Sequence, residues 1–185
     1  MMDMRFPAPD RYPAPPAGSV DPDWAAVNVP ATVLWSGPGQ LREYDTFILK
    51  KMNDPAAWAG GMDNAMRLWL VGKAETMALY GEPVVVLERR GEWLKVAAAA
   101  QKTTLSEYGY PGWVPAAHIT KNDVYLNELN GLPHVVVAKK QTSLHTGAEL
   151  SGVAGELSYQ TRLPLLEEKE QFVAVRLPDG GTGYL

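Results

Sequence analysis

Cysteine is absent from these 185 residues. Disulfides, cysteine-ligated zinc and a cysteine nucleophile are thereby excluded within the chain, and the absence fits a reducing compartment. Histidine is scarce: His118, His134 and His145 are the three, and they lack metal-ligand spacing, so neither a metal nor a cofactor is expected. No uninterrupted apolar stretch approaches the roughly twenty residues of a membrane span, and the start of the chain has no signal-peptide h-region. Runs of Lys and Arg are also missing. With a formal net charge of −4, the chain has no electrostatic footprint for nucleic acid or an anionic membrane. These absences describe a soluble protein, expected in the cytoplasm. An extracellular or periplasmic location would require a signal ahead of this sequence.

Proline and glycine are plentiful, at 15 and 17 residues, which suits short strands joined by turns better than a helical bundle. Residues 1–23, "MMDMRFPAPDRYPAPPAGSVDPD", read as a Pro-rich extended leader. Beyond it, short β-like runs dominate: "VNVPATVLW", "EPVVVLE", "WLKVAAA", "GWVPAA", "HVVVAKK", "LPLLEE" and "FVAVRLP". Turn signals separate them, the all-β pattern. The exception is "DPAAWAGGMDNAMRLWLVG", Asp54 to Gly72. Asp54 and Pro55 make an N-cap and first-turn pair, Met62, Met66 and Trp69 share one helical face, and Gly60-Gly61 splits the stretch into two short helices. This Met/Trp stripe is read as packing.

An internal repeat sets the architecture. "LERRGEWLKV" aligns with "LEEKEQFVAV" at an offset of 79 residues, pairing Trp93 with Phe172 and Val84 with Leu163. Upstream, "TVLWSGP" matches "TSLHTGA" at an offset of 110, so the first copy holds a 31-residue insertion that includes the helical stretch. Downstream, "GWV" matches "GYL" at an offset of 71, which gives the first copy a longer loop between Ala97 and Pro111. The fold class expected is mainly β: two small barrels, with a helical insertion at about 52–72 in the first. The domains are then 24–125 and 132–185. The second copy stops at "GTGYL", before a counterpart of the "PAAHI" that follows "GWV" in the first. The expectation is a fragment of a longer protein.

The combination "GEPVVVLERRGEWLKV" with "GYPGWVPAAHI" resembles bacterial SH3 domains. Together with "WLVGKAETMALYGE" and the helical insertion, it is similar to the N-terminal part of NlpC-type cysteine peptidases, the γ-D-glutamyl-L-diamino acid endopeptidases that recycle cell-wall peptides. The resemblance covers about Val27 to Leu185. It implies two SH3-like barrels ahead of a papain-like catalytic domain, expected after residue 185. It also implies cleavage after γ-D-Glu in released murein peptides that begin with L-Ala. By the same resemblance, Glu75 and Tyr110 hold the free amine of that L-Ala, while Met77 stands where the family often has Gln. These residues carry no catalytic machinery of their own: no catalytic residue, no nucleophile elbow, and in "PDGGTG" a turn without the helix that a phosphate cradle needs. "LEEKEQ" reads as a charged turn.

The repeat supplies an internal control for the roles of these residues. Gly112 and Trp113 recur as Gly183 and Tyr184, and Trp93 recurs as Phe172. Positions aromatic in both copies are read as structural: Trp93, Trp113, Phe172 and Tyr184. Tyr110 aligns with Gly181 and Glu75 with Ala154, so the barrel itself needs neither side chain. Two readings stand for this pair: substrate binding, or a solvated Glu75 beside a loop-packing Tyr110. For the whole chain, the expected function is a non-catalytic specificity module of the peptidase. The alternative is a free-standing module that binds cell wall or a proline-rich peptide.

Overall fold

Strand by strand, the repeat seen in the sequence is repeated in the backbone. A computed structural model describes residues 22–51 and 53–185. The Pro-rich leader falls outside them except for Pro22 and Asp23. The chain opens with β1 (Trp24–Val27) and β2 (Ala31–Trp35), then a 3-10 turn at Glu43–Asp45 and helices α1 (Thr46–Leu49), α2 (Pro55–Gly60) and α3 (Asn64–Trp69). β3 (Ala74–Leu79), β4 (Pro83–Arg90), β5 (Trp93–Ala98), β6 (Tyr110–Pro115) and β7 (Ile119–Thr120) complete the first sheet. Helix α4 (Asp123–Gly131) leads to β8 (His134–Val136), β9 (Gln141–His145), β10 (Val153–Ser158), β11 (Arg162–Glu168), β12 (Val173–Arg176) and β13 (Thr182–Tyr184). The sheet orders are β3-β2-β6-β5-β4-β1-β7 and β10-β9-β13-β12-β11-β8. Without β7 the two orders are the same. The protein is mainly β, as the turn-rich pattern predicts.

Register repeats as well. Ala25 sits opposite Val84 and Val135 opposite Leu163, the pairs that the 110- and 79-residue offsets demand. Both sheets carry a bulge at the same two places: at Leu34/Trp35 and Leu144/His145, where β2 meets β3 and β9 meets β10, and again after Val86 and Leu165. Gly112 and Gly183 recur because each is crowded, Gly112 by the Cβ and backbone of Leu34 and Gly183 by the side chains of Leu144 and Leu177. A Cβ on either would lie 2.6 Å from Leu34 or Leu144 respectively, closer than packed carbon atoms tolerate.

The first copy's insertion is a small helical cap. Asp54 accepts the Ala57 N–H and Asp63 the Met66 N–H, each an N-cap in the expected manner. Gly60-Gly61 separates the two helices, and Met62 lies between them rather than within one. The helical material starts earlier than the 52–72 read from the sequence, at Glu43. Its cause is tertiary, not periodic. Asp45 is fully buried and accepts hydrogen bonds from Arg42 Nη2 at 2.8 Å and Trp58 Nε1 at 3.1 Å. Burial pushes its carboxyl up, but these hydrogen bonds and the Arg42 charge outweigh it and hold the group below its ordinary value. The Arg42 guanidinium stacks 4.2 Å from the Trp69 ring centroid. Trp35, Val33, Ile48, Trp58, Met62 and Trp113 form the core under this cap. A separate cluster of Val27, Val29, Leu34, Val84, Val96 and Val114 forms the first barrel's own core.

The stretch at 126–131, between the two expected domains, is the later part of α4. Asn122 caps this helix through the Tyr125 N–H and donates its amide to Asp179 O at 2.9 Å. Arg176 binds Glu128 through two hydrogen bonds of 2.6 and 3.1 Å. Tyr125, Leu126 and Leu129 pack with Leu144, Leu157, Leu163 and Val175, and Ala26, Trp24 and Tyr80 of the first barrel join the same cluster. The Tyr125 hydroxyl donates to Gly81 O at 2.8 Å. α4 is thus a strut, bonded to the second barrel along its length and pegged to the first by one side chain. Among the described residues, no helix is long and apolar enough to cross a membrane.

His118 locks the cap to the barrel. It is buried, with Nδ1 2.8 Å from Thr32 Oγ1 and Nε2 2.8 Å from Leu49 O. A carbonyl only accepts, so Nε2 carries the proton and the Thr32 hydroxyl donates to Nδ1. Burial lowers the pKa of His118 below its ordinary 6.5, although its backbone hydrogen bonds oppose this. A depressed folded pKa means the unfolded chain takes up the proton first, so this contribution to stability is complete above about pH 6.5 and is lost as pH falls below it. The stability advantage of the wild type over His118→Gln should therefore shrink between pH 7 and 5 in thermal melts. An advantage constant across that range would show that His118 does not titrate on unfolding.

Candidate functional site

The bulge in β3 determines where Glu75 points. Thr76 pairs with Leu34 and Ala74 with Trp35, which leaves Glu75 as the extra residue. A bulge re-aims a side chain away from the regular alternation of the strand. The second barrel has the same bulge: Gly155 pairs with Leu144 and Val153 with His145, leaving Ala154 as the extra residue. Both copies therefore share the backbone feature, and only the first places a carboxylate on it. That carboxylate is solvent-exposed.

Tyr110 comes to it from another strand. It is the first residue of β6, opposite Ala98 on β5, and its half-buried ring packs against the first barrel's core. Gly109 precedes it with φ +121°, and a Cβ there would collide with the Ala98 carbonyl. Glycine is what lets the long loop enter β6 at this angle. The Tyr110 hydroxyl donates to Glu75 Oε2 at 3.3 Å, long for an O–H···O bond, which is usually near 2.7–2.8 Å. The structure thus brings the two sequence-selected residues together, 35 positions apart, with an acceptor pair open to solvent. The contact is loose enough for a stronger donor to replace the phenol proton. A primary ammonium, with three N–H donors, is such a group.

Behind the pair lies a network that sequence reading missed. Glu82 is buried, accepting the Leu79 N–H at 3.0 Å and Gln101 Nε2 at 2.9 Å. Burial pushes its carboxyl above the ordinary value, and those two bonds and the Arg162 charge offset only part of the rise. Gln101 Nε2 also donates to Met77 O at 2.8 Å, while Gln101 Oε1 accepts from the Thr76 hydroxyl at 2.6 Å. Glu82, Gln101 and Met77 line an open cleft of about 1300 Å³ to which Gln160 and Arg162 of the second barrel also contribute. One signal was in the repeat: Glu82 aligns with Thr161, a departure of the same kind as Glu75 with Ala154. Gln101 departs in the same way: at the offset of 79 it aligns with Gly180, whose N–H returns to Leu177 O as that of Gln101 does to Ala98 O, so the second copy keeps the turn without the side chain.

The four aromatic positions sit on one outer face of each barrel. Trp113, opposite Trp35, is 6% exposed beneath the helical cap, with the Arg90 guanidinium 4.7 Å from its ring centroid. Trp93 packs beside it, half-buried. Among the described residues no helical cap covers the second barrel's face, and there Phe172 and Tyr184 pack on each other edge-to-face, centroids 5.5 Å apart. Of the histidines, His118 is a structural pin, and His145, half-buried, stands opposite Tyr184. Among the described residues no group of three His, Asp or Glu could hold a metal ion.

Comparison with known proteins now places this arrangement. Residues 137–185 match the YKFC SH3b2 domain family. A γ-D-glutamyl-L-lysine dipeptidyl-peptidase of Bacillus cereus (strain ATCC 10987 / NRS 248) is 36% identical over 163 residues, 87% of this chain and 49% of the relative. The protein of the same name from Bacillus subtilis (strain 168) is 27% identical over 144 residues, 77% of this chain and 47% of that protein. A crystal structure of an NlpC/P60 family protein from Bacillus cereus ATCC 10987 superposes with a TM-score of 0.81 at 36% identity, covering 88% of this chain and 53% of that one. The chain spans about half the length of the curated relatives it matches. Together these matches support two tandem SH3-like barrels of the kind found in the N-terminal SH3-like region of an NlpC/P60-type peptidase.

Proposed function

We propose that this chain is the specificity module of a cysteine peptidase acting on released murein peptides, and that its first barrel holds the free amine of an N-terminal L-Ala. The observation that carries the reading is the Glu75–Tyr110 pair. It is formed across two strands, on a bulge common to both barrels, by side chains the second barrel lacks. Glu75 supplies the counter-charge and Tyr110 a neutral acceptor. The Tyr110 ring shields one side, and excluding water there strengthens the ion pair. A peptide whose amine is blocked, as in intact cell wall, would leave Glu75 desolvated and unpaired. The pair is then a filter for fragments already cut loose. That suits recycling in the cytoplasm.

The relatives' shared name, γ-D-glutamyl-L-lysine dipeptidyl-peptidase, supports hydrolysis of a γ-D-glutamyl–diamino acid bond as the parent activity. The chain has no cysteine, so the nucleophile of such an enzyme would come from a papain-like domain C-terminal to these residues. The test is to express the complete reading frame and assay L-Ala-γ-D-Glu-L-Lys. Release of L-Ala-γ-D-Glu, abolished by replacing a cysteine downstream of Leu185, supports the reading. A frame that supplies no such cysteine, with this chain sedimenting on purified intact cell wall, would replace it with a free-standing wall-binding module.

A further inference from the structure

The inference concerns Gln101 and deepens the amine-filter reading, on which it rests. β3 is an edge strand of the first sheet, so the outward N–H and C=O groups of its alternate residues have no strand to meet. Two of them, the Leu79 N–H and the Met77 carbonyl, are met by side chains: Glu82 takes the first and Gln101 the second. Gln101 then binds Glu82 itself and accepts from Thr76. The amide is used at both ends, with its NH₂ between two acceptors and its oxygen on a hydroxyl. Flipped, it would face the Met77 carbonyl and the Glu82 carboxylate with an oxygen, so one orientation is fixed.

Thr76 and Met77 directly follow Glu75. Gln101 stands three residues after Ala98, the backbone partner of Tyr110, and its own N–H returns to Ala98 O at 3.0 Å. One side chain therefore joins the strand that carries the acid to the strand register that carries the phenol. The 31-residue insertion and the long loop both belong to the first copy, and Gln101 lies in that loop. We infer that Gln101 is a positioning residue: it sets the approach of Glu75 to Tyr110, and through it the selectivity for a free amine. It touches no substrate.

The experiment uses the protein of the complete reading frame and two substrates, L-Ala-γ-D-Glu-L-Lys and its N-acetyl form. Four versions are compared: wild type, Gln101→Leu, Glu75→Gln and the double variant. Gln101→Leu is expected to raise KM for the free peptide about tenfold with kcat retained, and to lower the free-to-acetylated ratio of kcat/KM by a similar factor. In the Glu75→Gln background it should change that ratio no further, since its effect passes through Glu75. An equal loss on both substrates, or a full additional loss in the Glu75→Gln background, would overturn the role. If Gln101→Leu does not fold, Thr76→Val removes one of its bonds within a nearly unchanged shape. A smaller fall in the ratio then supports the role, and an unchanged ratio overturns it. If Glu75→Gln alone leaves the ratio intact, the amine-filter reading fails and this inference with it. If Glu75→Gln lowers the ratio and Gln101→Leu does not, only the inference fails.

Discussion

Trp113→Ala is expected to unfold the first barrel's capped face, at a cost of about 3–5 kcal/mol, the usual range for emptying a buried Trp site. The side chain is 6% exposed, lies between β6 and the helical cap, and shares its cluster with Trp35, Trp58, Ile48 and Met62. The cavity cannot collapse easily, because Val33 and Trp35 of the sheet hold one side and Ile48, Trp58 and Met62 of the cap the other. Stabilities of small domains are only about 5–15 kcal/mol, so one such change removes a large share. The internal repeat gives the comparison. Tyr184→Ala, at the equivalent and half-buried position, opens onto solvent and should cost distinctly less. Thermal unfolding followed by far-UV circular dichroism, which sees both barrels, measures both, since all six tryptophans lie in the first. Equal losses would show that the cap adds nothing to Trp113.

Tyr125→Ala is the second large effect, also expected at about 3–5 kcal/mol, and it tests a different part of the molecule. Tyr125 is fully buried, belongs to the core of the second barrel and reaches across to Gly81 of the first. Its removal takes away packing on one side and the peg on the other. Two unfolding transitions should then replace one, with the second barrel melting first and the first barrel near its wild-type temperature. Tyr125→Phe, which keeps the ring and loses only the hydroxyl, should show a single transition with a loss of roughly 1–3 kcal/mol for the carbonyl left unsatisfied. A single transition in Tyr125→Ala, with both barrels shifted together, would mean that the coupling runs through other contacts.

The sequence was most informative where it compares with itself. Offsets of 79, 110 and 71 residues placed the strand counterparts correctly, because a duplicated β fold repeats register as well as composition. Gly112 and Gly183 were legible for the same reason: the same leucine of the repeat, Leu34 or Leu144, crowds the glycine in each copy. The family resemblance pointed to Glu75 and Tyr110, the second copy's lack of both side chains set them apart from the fold, and the structure puts them in contact. Elements without a partner copy were harder to read. α4 spans the gap at 126–131 between the two expected domains, and its apolar face becomes meaningful only once Tyr125 has Gly81 and Leu163 to meet. The Glu43–Leu49 segment is helical through Asp45, Arg42 and Trp58, which are distant or mixed in character and leave no periodic trace. Gln101 stands where the second copy has Gly180, and its bond to the Met77 carbonyl has meaning only once β3 is known to be an edge. Side chains that serve another residue's geometry leave little pattern in a chain.

The central claim is that Glu75 and Tyr110 read a free amine. The measurement that tests it most directly is the ratio of kcat/KM for L-Ala-γ-D-Glu-L-Lys over its N-acetyl form, in wild type, Glu75→Gln and Tyr110→Phe proteins of the complete reading frame, with a melting temperature for each. The account predicts a high ratio in the wild type and a fall of at least roughly tenfold in Glu75→Gln, as expected when a hydrogen bond to a charged group is lost. It predicts a smaller fall in Tyr110→Phe and melting temperatures almost unchanged in both. A wild-type ratio near one, or a Glu75→Gln protein that keeps its ratio and loses its fold, would contradict the claim and make Glu75 a structural carboxylate.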